Sequence, residues 1–227
     1  MYKTITTEVP DMQAEDKKLG VRLEIYTDFN SESPREWDQI GTLVSWHRDL
    51  ASDKKYNIRA DLDHVLCAIL KNELGEEHYP YEEDRTDLLN RIVKSDKLVV
   101  MPLYVFSHGG IRLSTSTDEF ASWDPTGFDY GLGGIYFTTK ERIRKEFDVK
   151  RITAEILEKA KQAMKSELEV YNQWENNEVY RYEVTDLEGN HLDSCGGFLG
   201  DDWKEQMADI FENEAWKPLL DKLESCS

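Results

Sequence analysis

The sequence predicts an α+β fold, in which a mostly antiparallel sheet of hairpins packs with several helices. Strand-length apolar segments occur in pairs joined by short turns, and amphipathic helical segments separate these pairs. The regular strand–helix–strand rhythm of a parallel sheet is absent. With 227 residues, 39% of them hydrophobic, the chain is long enough to bury a core, which argues against global disorder.

Residues 1–20 are polar and are predicted to form a loop-like N-terminal arm ahead of an α+β domain at 21–200. Residues 21–29, "VRLEIYTDF", alternate between apolar and polar and predict the first strand. A turn-rich loop follows, and "TLVSWH", 42–47, predicts the second strand.

Two helices are predicted next. Residues 61–75, "DLDHVLCAILKNELG", carry one apolar stripe, with Asp61 as a capping residue and Gly75 as the stop. An acidic loop separates this helix from a shorter one, "TDLLNRIVK".

The most apolar run, "KLVVMPLYVF" at 97–106, predicts a buried strand, and its Pro102 indicates a bulge or an edge position. The turn "SHGG" and the returning strand "IRLSTS" complete a hairpin. Residues 117–134 are rich in Gly and Asp and predict a long loop before the strand "IYFT".

The second half begins with "TTKERIRKEF", which predicts a helix opened by a capping box of Thr138 and Glu141. Residues 152–174 show the clearest helical periodicity, and 179–195 predict a hairpin that turns at Gly189. Residues 201–227 predict an acidic C-terminal segment of one or two helices packed on the domain.

Charge and composition exclude several functional classes. The formal net charge of −18, from 46 acidic and 28 basic residues, disfavours direct contact with nucleic acid or anionic lipid and favours a basic protein partner. Solubility alone is the other explanation of this acidity. No 18-residue apolar run and no N-terminal apolar segment occur, so neither a membrane helix nor a secretory signal is predicted.

The cysteines and motifs point to no cofactor. Cys67, Cys195 and Cys226 are an odd, sparse set without metal-binding spacing, which is typical of reduced thiols in a cytoplasm. No nucleophile elbow, phosphate-binding loop or zinc-protease motif is present. The sequence therefore predicts a non-enzymatic protein without a cofactor or metal, and its oligomeric state stays open.

One spacing, W-D-x-x-G, occurs twice, at residues 37–41 and 123–127. Asp at the start of a turn bonds backbone amides two residues on, and Gly suits the last position. We interpret both copies as turns that lead into a strand beneath a tryptophan. The alternative is a hard-cation site built from nearby carboxylates, those of Asp28, Asp38, Asp124 and Asp129.

Four motifs occur in order: "SPREWDQIGTLVSWHR", "LYVFSHGGIRLSTS", a "WD…G…IY" segment followed by "TKERIRKEF", and "DSCGGF". In this combination, over residues 22–200, the chain resembles an uncharacterised family of small accessory proteins of bacteriophages, plasmids and other mobile elements. The 117–133 loop is longer than that family's, and Gly197 stands where an aromatic residue is expected. The resemblance implies a mobile-element protein acting in the host cytoplasm, with no established activity.

Together, the acidity and the resemblance predict an accessory protein that binds and inhibits a basic host protein. This target is expected to bind nucleic acid and to act in defence or replication. DNA mimicry, of an anti-defence, anti-restriction or anti-CRISPR type, is the suggested mechanism, since 18 charges match roughly 30 Å of duplex. The predicted partner-binding residues are acidic or aromatic: Glu73, Glu76, Glu77, Tyr79, Tyr81, Glu82, Glu83, Asp84, Asp201, Asp202, Trp203, Glu205, Asp209, Glu212, Glu214 and Trp216.

Two other functions stay open at this point. The order His108, Tyr136, Glu178 superficially resembles the His-Tyr-Glu set of ADP-ribosyltransferases, which implies a nucleotide-using enzyme. In those enzymes the histidine binds a ribose, the tyrosine stacks on nicotinamide and the glutamate polarises the ribose. The other alternative is a metal-stabilised structural or interaction module without catalysis.

Overall fold

The structure is a computed structural model that describes residues 8–56, 61–212 and 214–226. It divides into two compact units. Unit 1 joins the two ends of the chain, residues 1–33 and 173–227, and unit 2 is the central stretch, residues 34–172. These bounds differ from the three consecutive segments predicted from the sequence, because unit 1 is assembled from residues far apart in the chain.

The described residues contain nine strands and six α-helices. The strands are β1 (Met12–Asp16), β2 (Val21–Thr27), β3 (Thr42–Ser45), β4 (Leu98–Ser107), β5 (Ile111–Ser114), β6 (Tyr130–Thr139), β7 (Val179–Asp186), β8 (His191–Leu199) and β9 (Glu224–Ser225). The helices are α1 (Leu62–Ile69), α2 (Arg85–Lys94), α3 (Asp118–Trp123), α4 (Lys140–Glu146), α5 (Ala154–Glu175) and α6 (Trp203–Ile210). A π-helical turn, Leu70–Leu74, extends α1, and 3₁₀ turns occupy Pro34–Glu36 and Lys217–Lys222.

Unit 1 is built on a five-stranded antiparallel sheet with the order β8-β7-β2-β1-β9. Alternate residues of β2, including Leu23 and Ile25, are fully buried, as expected for a strand with one face on a core. Trp203 and Met207, four residues apart on α6, pack into the same core, so α6 covers this sheet.

Unit 2 is built on a four-stranded antiparallel sheet with the order β3-β6-β4-β5. Its core joins the sheet to α1 and α2, through residues such as Ile69, Leu88 and Phe137. Both sheets are antiparallel and helices cover them, so the predicted α+β fold is confirmed.

Several predicted elements are also confirmed with their local causes. The Asp61 side chain accepts a hydrogen bond from the amide of His64 at the start of α1. Gly75, at φ 75°, ends the helical segment in the left-handed conformation that favours glycine. Pro102 lies in the part of β4 that β5 does not pair with, so one side of the strand is unpaired by another strand at the proline. The pairing of β4 with β6 shifts just after Leu103, so the predicted bulge is also present.

Three predictions of local structure are wrong. The polar N-terminal arm contains β1, which pairs with β2 along its whole length; residues 1–7 of the arm lie outside the described residues. The loop predicted at 117–134 contains α3, and its last part belongs to β6. The cap of α4 is Thr139, whose hydroxyl accepts from the amide of Arg142, whereas Thr138 is buried in β6.

Candidate functional site

The first W-D-x-x-G turn is held by the Arg35 side chain, which lies just before it. The Arg35 guanidinium donates two hydrogen bonds to the Asp53 carboxylate, at 2.9 and 2.5 Å, a bidentate geometry. It also donates to the hydroxyl of Tyr136 at 3.0 Å and to the carbonyl of Gly41 at 3.3 Å. Asp53 in turn accepts from the amide of Leu43 at 2.8 Å. The turn is thereby fixed to the start of β3.

Glu167, on α5, holds the same turn from the other side. Its carboxylate accepts the backbone amides of Ile40, at 2.5 Å, and of Gly41, at 3.0 Å, and the hydroxyl of Tyr136, at 2.6 Å. Burial raises the pKa of Tyr136 above its usual range, and Glu167 adds to this rise while Arg35 opposes it. The phenol therefore stays a neutral donor.

Close packing makes glycine necessary in this turn. A Cβ on Gly41 would lie 2.2 Å from Cζ of the Tyr136 ring, which is fully buried. Every polar group described in this network has a partner within the protein, so the crowded sequence around the first turn is structural. The predicted turn is present, but its Asp38 bonds Arg142 at 2.6 Å through a largely exposed carboxylate.

The second W-D-x-x-G turn follows the predicted pattern more closely. The Asp124 carboxylate accepts from the amide of Thr126 at 2.9 Å and from the amide of Asp129 at 2.8 Å. Gly127 has φ 70°. Hydrogen bonds, chiefly from the Thr126 hydroxyl and then from the Asp129 amide, lower the pKa of Asp124 to about 2. The rings of Trp123 and Phe106, on β4, meet edge to face with 5.5 Å between their centroids, although nearly half of the Trp123 surface is exposed.

The cation site suggested by Asp28, Asp38, Asp124 and Asp129 does not form. Within the described ranges, no group of three or more His, Cys, Asp or Glu side chains is arranged to hold a metal ion. The Asp124 oxygens are occupied by backbone amides, and the Asp129 carboxylate pairs with the ring of His108 at 2.9 Å.

The geometry does not support the ADP-ribosyltransferase set either. Tyr136 is fully buried and hydrogen-bonded to Glu167, so its ring has no face on which a nicotinamide could stack. His108 is on an exposed turn of unit 2, where it pairs with Asp129, and Glu178 belongs to unit 1.

Most of the predicted acidic residues of unit 2 contact a Lys, Arg or His side chain. Glu73 pairs with Lys55 and accepts the hydroxyl of Tyr56, and its side chain is only 11% exposed. Glu77 lies 3.7 Å from the ammonium of Lys71.

The rest of this segment is similar. Glu83 lies between His78, at 2.5 Å, and Arg91, at 3.4 Å, and the bond from His78 is the main reason why the pKa of Glu83 is lowered. His78 also contacts Glu76, at 3.3 Å. The other predicted residues here are exposed: Tyr79, Tyr81, Glu82 and Asp84. The hydroxyl of Tyr81 donates to Asp61, and Asp84 caps α2.

The predicted acidic residues of unit 1 have a different environment. We use "C-terminal acidic surface" for the carboxylates of Asp201, Asp202, Glu205, Asp209, Glu212 and Glu214. All six residues are exposed, and none of them forms an ion pair with another part of the described chain. The Asp202 carboxylate accepts the side-chain amide of Gln206, an uncharged group, at 3.0 Å. Their negative charge is therefore available to a partner.

The two tryptophans predicted as interface anchors are corrected by the structure. Trp203 is 6% exposed and stacks at 5.3 Å on Tyr180, because it faces the core side of α6. Trp216 packs against Phe211, and its indole nitrogen is buried without a hydrogen-bond partner in the described residues. The sequence does contain a signal for this burial: Trp203 and Met207 are four residues apart, a spacing that places both on one apolar side of a helix, away from the carboxylates.

A groove of about 310 Å³ in unit 2 was not predicted from the sequence. It is lined by the side chains of His47 and Arg48 and by the neighbouring end of β6, and Phe128, 92% exposed, stands at its side. The Arg48 guanidinium is largely exposed and pairs with Asp49 at 2.9 Å, and the amide of Asp49 donates to the His47 ring. We find no nucleophile–base pair in this groove.

The chain matches no protein-family model, no curated protein sequence and no solved structure. In the part of the chain that the structure describes, no helix is long and apolar enough to span a membrane.

Proposed function

We propose that the protein binds a basic host protein through the C-terminal acidic surface, and that it inhibits a target whose own function is to bind nucleic acid. The observation that carries this proposal is the contrast between the two acidic segments. The segment in unit 2 is paired with Lys, Arg and His side chains, whereas the six carboxylates of unit 1 are exposed and unpaired within the described chain.

The spacing of these carboxylates supports DNA mimicry. Asp202, Glu205 and Asp209 follow one another at three and four residues, which corresponds to about 4.5 and 6 Å along a helix axis. Phosphates along one DNA strand are about 3.4 Å apart on the axis. A groove of Lys and Arg that fits a strand of phosphates therefore meets a comparable row of charges along α6 and its N-cap residue, Asp202.

The remaining parts of the proposal rest on the sequence. The four-motif resemblance supports a mobile genetic element of bacteria as the source, and the host cytoplasm as the place of action. In such elements, small acidic proteins often inhibit host enzymes or immune systems. The net charge of −18 supports a basic partner and opposes direct contact with nucleic acid.

The test is capture of a bacterial lysate on the immobilised protein, followed by elution with duplex DNA. If the protein is a DNA mimic, basic proteins bind and the duplex displaces them, because both ligands occupy the same site. Replacement of the six carboxylates by their amides is expected to abolish this capture.

The matched control neutralises Glu76, Glu77 and Glu82 in unit 2, and it is compared with a variant that removes the same number of charges, Asp202→Asn, Glu205→Gln and Asp209→Asn. Capture is expected to persist in the control, since its three residues are outside the C-terminal acidic surface. Equal loss in both variants would show that only overall charge matters, and proteins that duplex DNA does not displace would refute the mimicry.

A further inference from the structure

The outer edges of the two sheets are protected unequally. In unit 2, the β3 edge is bonded by side chains: the amide of Leu43 donates to Asp53 at 2.8 Å and the amide of Ser45 to Ser52 at 2.9 Å. The β5 edge is bonded by Asn172, which both donates to and accepts from the backbone of Leu113. These contacts satisfy backbone groups that would otherwise pair with another strand.

In the described part of unit 1, the edge formed by β8 is open. β9 partly covers β1, but β8 lies at the other side of the sheet and is exposed over most of its length. In the described chain, two side chains bond its outer backbone: the Gln206 amide donates to the carbonyl of Leu199 at 2.8 Å, and the Cys195 thiol contacts the carbonyl of the next residue, Gly196, at 3.7 Å. Within these residues no other strand pairs with this edge.

The hydrogen-bond pattern shows which residues face outward. Gly200 donates to the carbonyl of Glu178, and Asp186 donates to the carbonyl of Asn190, so even-numbered residues of β7 bond β8. Ser194 is opposite Glu183, an odd-numbered residue. In an antiparallel ladder this alternation turns the amide and the carbonyl of Ser194 away from β7, toward the open edge.

The length of regular edge is limited. Pairing between β7 and β8 shifts on both sides of the stretch from Asp193 to Gly196, and such bulges interrupt a ladder. An added strand would therefore pair along about these four residues.

The C-terminal acidic surface flanks this edge. Gln206, the residue that contacts β8, shares one side of α6 with Asp202 and Asp209, four residues before it and three after it. A strand that pairs with residues 193–196 and runs on past Leu199 would therefore pass beside carboxylates that lack an ion-pair partner in the described chain.

We propose that β8 is the docking edge for an extended, lysine- or arginine-rich segment of the basic partner, which adds to the sheet as a sixth strand. This inference rests on the proposed function and specifies how the partner binds. Backbone hydrogen bonds supply the pairing, and the carboxylates of α6 select a positively charged segment. A second copy of this chain fits less well, because two molecules of charge −18 repel each other.

The experiment uses a fluorescent synthetic peptide of alternating lysine and valine, with binding measured by anisotropy. Ser194→Pro removes the outward amide while leaving the bonds to β7 intact, a position where edge strands accept proline. Ser194→Ala is the matched control: both variants lose the 3.0 Å contact between the Ser194 hydroxyl and His191, and only the proline loses the amide.

We expect Ser194→Ala to bind within about twofold of the wild type and Ser194→Pro to bind at least about tenfold more weakly, from one lost backbone bond and the bulk of the ring. Equal affinity of the two variants, both folded by circular dichroism, would overturn the inference. If the proline variant does not fold, deuterium exchange of the wild-type Ser194 amide decides: the peptide must slow it, and unchanged exchange at saturation overturns the inference.

Two further variants separate this inference from the proposed function. Asp202→Asn with Asp209→Asn should weaken peptide binding and reduce its dependence on salt. If the double variant binds the peptide more weakly and Ser194→Pro does not, the docking role of β8 is overturned and the proposed function stands. If the double variant binds with wild-type affinity, the role of the C-terminal acidic surface is overturned. If the wild-type protein is a dimer and Ser194→Pro is a monomer, the β8 edge binds a second copy of this chain and not a basic partner, which overturns the inference.

Discussion

Replacing Glu167 by Gln tests whether the network around the first turn stabilises unit 2. The carboxylate accepts three hydrogen bonds, from the amides of Ile40 and Gly41 and from the hydroxyl of Tyr136. A glutamine has one acceptor oxygen, so its NH₂ group must face at least one of these donors. Loss of one charge-assisted bond, together with an unsatisfied donor, is expected to lower the free energy of unfolding by about 2–3 kcal/mol.

The assay is urea unfolding followed by circular dichroism and tryptophan fluorescence, with equal denaturant slopes required for the comparison. The matched control is Glu169→Gln, two residues further on the same helix, where the side chain is exposed. We expect the control to change stability by less than about 0.5 kcal/mol. Equal effects of the two substitutions would refute a stabilising role for Glu167.

Three other predictions concern packing and titration. Gly41→Ala is expected to destabilise the protein by about 1–3 kcal/mol, measured by urea unfolding, because its Cβ would lie 2.2 Å from the Tyr136 ring. Trp203→Ala should cost about 3–5 kcal/mol in the same assay, since this indole is buried in the core of unit 1; a change near zero would contradict its placement. Asp124 has its pKa lowered to about 2, so its contribution to stability is complete above its ordinary pKa and is lost as the pH falls through 2. An NMR titration of its carboxyl carbon should show a midpoint near 2 that rises in Thr126→Val, and an ordinary midpoint would refute the turn.

The parts of the fold that follow from local signals could be predicted from the sequence. The helix at 61–75 has a capping Asp61 and a terminating Gly75, and both act as expected. In β1, by contrast, only Ala14 is buried, so the alternation that identifies a strand is too weak. The six-residue α3 shows neither a side-chain cap hydrogen bond nor enough turns for a periodic pattern.

The site depends on contacts between distant residues, which local patterns do not contain. The turn at residue 40 is bonded by Glu167, 127 positions further on. The two acidic segments look alike in sequence, but only the one in unit 2 forms ion pairs within the described chain. Glu73 forms an ion pair with Lys55, whereas Glu205 forms none with a described residue. The open edge of β8 likewise follows from strand order, which the sequence did not predict.

The most direct test of acidic partner binding is the salt dependence of affinity for one captured basic protein. The account predicts that wild-type affinity falls steeply with rising salt, because exposed charge pairs are screened. The variant with all six carboxylates of the C-terminal acidic surface replaced by amides should bind weakly, with little response to salt. Wild-type affinity that stays constant from low to high salt, or a variant with the same salt dependence as the wild type, would contradict it.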